Sequence, residues 1–558
     1  MIAQTNSYWT RDYGPWFVVD ANYEVGVCDF PYNRPRPFDD EIPVHISNYY
    51  GLPLYSMDLI HTGGNYMCDG LGIAASSDLV WEENPGLSHQ EIDTIVSDYL
   101  GIRKYHVLLD PLGEYIKHID CWAKFLDVDK VLVGQVSPAD PRYNNFEYIA
   151  NYFSFQTSSW GTQYQVYRVY TPGNSLTTPY TNSLILNKKV FVPLTGSPYD
   201  NDAIEVYEEA MPGYEVIGIM HNNWANTDAL HCRAKGVADQ GMLFIEHMPI
   251  QGYKQFQLEW DLSAKIIPYS GAGVVYDSTL VYYKIDEGDY QELSLAHGTG
   301  YNYSATLPFI MPGSDISYYI RTKDYSDREK CHPYIGEPDP HVFHVNYAAN
   351  ATVTPDTLVF TTYEQMIDGL EFDVYNFTDG DLEITDLENE GIDLIHWYID
   401  PWTLSLPHTM AFSDTLTFNI KVGVPVNQLP GEFLMDTLDI VTANGLQQVF
   451  IKVDSDLISG LNENADPALA NLKSIFPNPA SNVVNIRLDV AEASRVKVDV
   501  YTISGSKIIS LADREMLTGT HKIKWDIHKK GQHVPAGIYI VRLQTDTGSI
   551  SRKLAVTD

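Results

Sequence analysis

The stretch DCWAKFLDVDKVLVGQV, residues 120–136, decides the fold. Two apolar runs flank a short polar turn, the pattern of a β-hairpin. A helical pattern near residues 145–155 and the apolar run YQVYRVY (164–170) follow it. The same order recurs along the first 249 residues. WFVVDANYEVGVCDF (16–30) reads as a first hairpin. NYMCDGLGIAAS (65–76) reads as a second, followed by a helix at 88–100 and a strand at 105–109. SLILNKKVFVPL (183–194) reads as a fourth, followed by a helix at 202–210 and a strand at 214–219. LHCRAKGVADQGMLFIEHM (230–248) reads as a fifth, with no helix and strand after it. Five hairpins and four helix–strand connectors make a repeat, and repeats wound around an axis bring equivalent positions together at one end of it.

Those equivalent positions carry chemistry. Asp12, Gly63-Gly64-Asn65, His118-Ile119-Asp120, Asn182 and Cys232 stand at one phase of the repeat. Steps of 53, 53, 64 and 50 residues separate Asp12, Asn65, His118, Asn182 and Cys232. The repeat therefore gathers a thiol, an imidazole, two carboxylates and an amide.

The rest of the chain is all-β. Short alternating strands such as STLVYYKI, YNYSATL and DISYYIRTKD mark residues 250–347 as a β-sandwich of immunoglobulin type. Residues 348–456 read as a second sandwich; they contain two basic residues, Lys421 and Lys452, and are strongly acidic. Residues 457–472 are polar and read as a linker. Residues 473–558 return to strands and reverse the charge, with 13 Lys and Arg against 8 Asp and Glu. Over all 558 residues the formal net charge is −37, which argues against nucleic acid as a partner and suits cationic substrates. The five cysteines, Cys28, Cys68, Cys121, Cys232 and Cys331, are widely spread and form no C-x-x-C pair, against a disulfide scaffold or zinc ribbon.

A cysteine beside His and Asp suggests nucleophilic catalysis, with the thiolate stabilised by His118 as imidazolium or by a cationic substrate. Asp12 and Asp120 are one carboxylate too many for a simple Cys-His acyl-transfer site. They suit a planar guanidinium, whose five N–H donors form a fork. Each member alone has a plainer role open to it. Cys232 could be an inert buried thiol, Asp12 the partner of Arg11, Asn182 a turn cap and Gly63-Gly64 a tight turn. Their coincidence at one phase carries the argument.

The segments SYWTRDYGPWF, FPYNRPRPFDDE, TGGNYMCDG, GEYIKHIDCWAKF, PYTNSLILN and TDALHCR resemble the Porphyromonas-type peptidylarginine deiminases. These belong to the guanidino-group-modifying (pentein) superfamily that includes agmatine deiminase. The resemblance implies an α/β five-bladed pseudo-symmetric propeller over 1–249, incomplete by one connector and followed by the immunoglobulin-like sandwiches. It implies Cys232 as nucleophile, His118 as general acid/base, Asp12 and Asp120 as guanidinium holders and Asn182 as a lining residue. It places Trp9 and Tyr115 beside the substrate stem and gives Arg34 and Arg36 of YNRPRP the α-carboxylate of a C-terminal arginine, which agmatine lacks. Gly64 completes the expected substrate-binding set. The implied reaction needs no metal and no cofactor. Arginine would become citrulline and ammonia through a covalent thiouronium.

FPNPASNVVNIRL, VDVYTISGSKI and PAGIYIVRLQTDTGSISRKL resemble the C-terminal sorting domain of type IX secretion. This implies a protein exported to the surface or exterior of a Bacteroidetes-type cell. Its partners would be the secretion machinery, peptides or proteins ending in arginine, and an outer-membrane surface attachment. The opening MIAQTNSYWTRDY has no basic n-region or apolar h-region. With a connector also lacking, the chain is expected to be N-terminally truncated. Two other functions stay open: an agmatine or free-arginine deiminase with the same site, and an inactive cell-surface binding protein whose sandwiches do the work.

Overall fold

A computed structural model describes residues 3–173 and 176–361, and beyond these 365, 368–389, 396–400, 404–423, 433–454, 470–476, 480, 483–502, 507–527, 534–535, 537–545 and 549–556. The chain divides into two compact units, residues 1–347 and 348–558.

The first unit begins with four copies of one module. Each is a three-stranded sheet in which an antiparallel hairpin is followed by a helix and a strand parallel to the hairpin's second strand. Trp16–Val19 pairs Val25–Asp29, which pairs Leu54–Ser56. Met67–Cys68 pairs Ile73–Ser77, then Lys104–Leu108. Ala123–Asp127 pairs Lys130–Gln135, then Gln165–Tyr170. Leu184–Leu186 pairs Lys189–Leu194, then Glu215–Met220. The connecting helices include Ile42–Tyr50, His89–Leu100, Tyr143–Ser154 and Asp200–Ala210. The connector after the first hairpin, for which the sequence sets no bounds, is thus Ile42–Tyr50 with Leu54–Ser56.

Local chemistry explains the helix ends. Ser88 and Glu91 form a reciprocal capping box at the start of His89–Leu100, and Ile92 and Val96, four apart, are buried. Gly101 ends that helix at φ +67°, where a side chain would be strained, and its N–H bonds the Ser97 carbonyl.

The modules bury their remaining faces against one another. Trp16 and Cys28 of the first share a core with Ala74, Ile92 and Val96 of the second. Ala75 and Leu108 of the second meet Val131, Val133 and Phe146 of the third. Leu132 and Val169 of the third meet Val190, Val192 and Tyr207 of the fourth. Side-by-side packing of equivalent modules holds the loops before each hairpin near one another.

The fifth hairpin is a correction. Residues 230–248 contain one strand, Leu243–Glu246, and it pairs antiparallel with Trp260–Pro268. Its Leu243 and Ile245 enter a core with Trp260, Leu262, Ile266 and Phe343. The chain before it makes turns: Arg233 N–H bonds Leu230 O, Ala234 N–H bonds His231 O, and the Arg233 guanidinium binds Asp228. These turn bonds occupy groups that a first hairpin strand would have to offer to a ladder. KQFQLEW (254–260), whose alternation reads as one more strand, is not one either, since pairing ends at Lys254 and resumes at Trp260.

The sheet Leu243–Glu246, Trp260–Pro268, Asn302–Leu307, Ala296–His297 and a six-stranded sheet centred on Asp315–Lys323 share that core. In the second unit, sheets centred on Leu370–Tyr375 with Thr415–Gly423, and on Gly445–Asp454 with Phe433–Thr442, enclose one core. Two more, centred on Val483–Val490 and on Ser494–Thr502 with Gly537–Gln544, enclose another. Most of the expected linker, residues 457–469, lies outside the described residues.

Ile245→Ala tests where the last strand belongs. The expected loss is about 2–5 kcal/mol of unfolding free energy, read by urea denaturation of the full chain. A loss under about 1 kcal/mol would remove Ile245 from that core.

Candidate active site

Asp12 lies in the short helix Thr10–Tyr13 and is buried. His118 caps the 3-10 turn Ile119–Cys121, which contains Asp120, and both side chains are buried. Asn182 precedes the fourth hairpin and Cys232 sits in the turns described above; each is at most 2% exposed.

These five residues form one cluster. His118 Nδ1 is 3.7 Å from Asp12 Oδ1. Asn182 Nδ2 donates to Cys232 Sγ at 3.2 Å. Asn182 Oδ1 accepts the backbone N–H of His231 at 3.0 Å and of Cys232 at 3.3 Å. Cys232 Sγ is 3.8 Å from Asp120 Oδ2. Two buried atoms of the cluster, Asp12 Oδ1 and His118 Nε2, have no hydrogen-bond partner. Buried polar atoms are normally paired, so these two have hydrogen-bonding capacity to spare.

Gly64 is required by the closeness of its neighbours. A Cβ there would lie 2.5 Å from His118 Nδ1 and 2.7 Å from Asp12 Oδ1. Asn65, at the same repeat phase, works structurally: its Oδ1 accepts from the backbone of Ser77 at 2.9 Å and Ile119 at 3.2 Å.

At the rim, the Arg36 guanidinium stacks over the Trp9 ring at 4.7 Å and donates to Tyr32 Oη at 3.2 Å. Arg34 lies 3.8 Å from Glu83. Both arginines are close enough to Asp12 to stabilise its carboxylate. Tyr115 stands apart: it is 85% exposed and the structure does not bring it to the cluster. Its neighbours Leu112 and Ile116 pack against the core of the third module, while the Tyr115 ring faces solvent.

Burial sets the charge state. Loss of water pushes the Asp12 carboxyl up to about 7, against the opposing pull of Arg34, Arg11 and Arg36. Burial raises Asp120 as well, partly offset by His118, while the Asp12 charge adds to the rise. Burial lowers His118 to about 4. The Cys232 thiol is pushed well up by burial and by Asp120 and Asp12. The empty site thus favours a neutral imidazole and a neutral thiol.

Sequence reasoning missed three contributors. Arg11 donates from Nε to the His231 carbonyl at 3.3 Å and from its backbone to the Cys232 carbonyl at 3.1 Å. His231 Nδ1 lies 2.6 Å from Asp120 Oδ2. Lys124 is buried, and burial lowers its ammonium to about 7 against the pull of Asp120. Arg11 and His231 adjoin Asp12 and Cys232 in sequence, the one signal that could have found them.

Residues 1–236 match the Porphyromonas-type peptidyl-arginine deiminase family. Residues 474–557 match the secretion system C-terminal sorting domain, which marks the chain for secretion or cell-surface display. An agmatine deiminase of Medicago truncatula is 26% identical over 267 residues, covering 38% of this chain and 71% of its own. Among solved structures, the agmatine deiminase of Enterococcus faecalis is 23% identical with a TM-score of 0.39, covering 41% of this chain and 74% of its own. That of C. jejuni is 22% identical with a TM-score of 0.36, covering 42% and 73%.

Asp12 gives a signed pH test. In the unfolded chain its carboxyl titrates near the ordinary aspartate value, and in the folded chain near 7. Between those values the folded state holds more protons, so stability falls as pH rises through that window. Asp12→Asn should raise Tm over wild type at pH 8 and leave it nearly unchanged at pH 4. Equal shifts at both pH values, in calorimetric melts, would mean that the Asp12 carboxyl is not strained.

Proposed function

We propose that this chain is a secreted peptidylarginine deiminase, hydrolysing the guanidinium of C-terminal arginine to citrulline and ammonia. The family match supports a hydrolase of guanidino C–N bonds. The observation that carries the reading is the orphaned pair Asp12 Oδ1 and His118 Nε2, beside a thiol already held by Asn182. A buried acceptor and a buried imidazole nitrogen suit a cationic N–H donor that must later lose a nitrogen.

In this reading Asp12 and Asp120 hold the guanidinium and fix its plane. The substrate's positive charge favours transfer of the Cys232 proton to the neutral His118 imidazole, and the thiolate attacks the central carbon. His118 supplies the proton that lets ammonia leave. A thiouronium ester remains on Sγ. Water then adds to its carbon with His118 taking the proton, the C–S bond breaks, and citrulline departs. No step uses a metal or cofactor.

Arg34 and Arg36 would bind the α-carboxylate, and Trp9 the aliphatic stem. Their placement near Asp12 supports this, because a carboxylate one arginine length from the guanidinium would meet them. The curated relatives favour a second reading, an agmatine deiminase with the same site. The wider architecture belongs to the same proposal: 1–249 as a propeller of the five-bladed class, 250–347 as an immunoglobulin-like sandwich, 348–456 as a second, 457–472 as a linker and 473–558 as the sorting module.

Citrulline release decides between these readings. The full chain should act on a short peptide ending in arginine, far less on one with internal arginine, and Cys232→Ala should lose at least ~10³-fold. Joint reversal of Arg34 and Arg36 to Glu should abolish the peptide activity and reduce any on agmatine far less, through the lost support of the Asp12 carboxylate alone. Unchanged peptide activity in that variant would sink the carboxylate site; turnover of agmatine alone would establish the second reading.

A further inference from the structure

We infer that His231 is a positioning residue for the guanidinium site: its Nδ1–H holds the Asp120 carboxylate in the plane and charge state that the substrate requires. The inference rests on the deiminase reading above and adds to it a residue outside the nucleophile, acid/base and clamp.

The geometry is specific. His231 Nδ1 is 2.6 Å from Asp120 Oδ2. The other carboxylate oxygen, Oδ1, is 3.6 Å from the Cys121 thiol. Asp120 is therefore gripped from both sides, and the short grip comes from the imidazole. The histidine is itself fixed at the backbone. Its N–H donates to Asn182 Oδ1, and its carbonyl accepts from Arg11 Nε. One amide thus locates both His231 and the adjoining Cys232, so the orientation of Asp120 is tied to the position of the thiol.

The ring's protonation follows from its surroundings. Arg11, Lys124, Lys235 and His118 all bear on it, and together with burial they disfavour a charged imidazole. A neutral ring has one N–H, and where Asp120 is ionised the 2.6 Å contact places that proton on Nδ1, with the carboxylate accepting. The Nε2 edge is left without a proton. His231, Arg11, Asp120 and Lys124 also line a cavity of about 1130 Å³.

The consequence concerns binding. Asp120 is buried and shares its site with Asp12, and both effects favour its protonated form. A protonated carboxyl offers a guanidinium no negative charge and turns one oxygen of the bidentate pair into a donor. The His231 hydrogen bond favours the carboxylate and stops rotation about the Cβ–Cγ bond. Its loss should weaken binding of the guanidinium more than it slows the chemistry.

Asn places an amide N–H near the position of imidazole Nδ1, whereas Gln reaches toward Nε2. The test compares wild type with His231→Ala, His231→Gln and His231→Asn as full chains, by citrulline release from a peptide ending in arginine. His231→Ala and His231→Gln should raise KM about 10–100-fold, the worth of one charge-assisted hydrogen bond, with kcat changed less. The acidic limb of kcat/KM should move to higher pH. His231→Asn should stay within about threefold of wild type. In histidine-labelled protein, the ¹⁵N shifts of the His231 ring should show Nδ1–H, and Asp120→Asn should perturb them.

Wild-type kinetics in His231→Ala, an Asn variant as impaired as Ala though equally folded by circular dichroism, or a ring protonated at Nε2 would each overturn the inference while leaving the deiminase reading standing. A wild type that releases no citrulline but shows Nδ1–H would overturn that reading, and with it the positioning role, leaving a purely structural hydrogen bond.

Discussion

The Asn182 side chain fixes the segment on which the candidate site depends. Residues 221–242 contain no helix and no strand, so no ladder of backbone bonds locates Cys232. Asn182 supplies the substitute. Its Oδ1 accepts two successive N–H groups, from His231 and Cys232, and its Nδ2 donates to the sulfur. Its own backbone is set by the turn before the fourth hairpin, where its N–H bonds Pro179 O. Arg11 makes the matching connection from the first module, through the carbonyls of His231 and Cys232. An irregular segment is thus pinned between the first and fourth modules. Removing the Asn182 side chain would take the partner from the Cys232 N–H, and removing that of Arg11 the partner from the His231 carbonyl, at roughly 1–3 kcal/mol each.

The repeat was legible because its signals are local. Hairpins at 16–30, 65–76, 120–136 and 183–194 declare themselves through apolar runs broken by polar turns, and the three bounded connectors are found within two or so residues of their expected places. Phase then brought Asp12, His118, Asp120, Asn182 and Cys232 together without any long-range contact being known. The fifth segment defeated the same logic. Its apolar run LFIE is a strand, but strand character does not name a partner. Leu243 and Ile245 could face a repeat module or the strands that follow, and it is with Trp260 and Ile266 that they share a core. Pattern reading recovers a strand's faces, and pairing is decided by what waits on the other side.

Within the site, legibility stopped at the residues that act on other residues. His231 and Arg11 lie one position off the repeat phase, so periodicity passed over them. Lys124 looks like an ordinary strand residue, yet it is buried close to Asp120. Tyr115 shows the opposite limit. Its neighbours in sequence, His118 and Asp120, are buried, but the intervening loop carries Tyr115 out to solvent. Closeness in sequence to a site residue locates the backbone and leaves the side chain's direction open.

The charges of the empty cluster are mutually dependent. Asp12 and Asp120 resist ionising because they are buried together, and both carboxylates make the Cys232 thiolate harder to form. Arg11, Arg34 and Arg36 only partly relieve Asp12. One cation placed between the carboxylates changes every member in the same direction: it favours both carboxylates and the thiolate at once. A guanidinium does this while donating along fixed N–H directions, which an ammonium on a flexible stem cannot match. In the proposed deiminase reading, the cation that is to be attacked is also what favours the attacking thiolate. A thiol kept protonated until that cation binds is protected from oxidation, which attacks the thiolate.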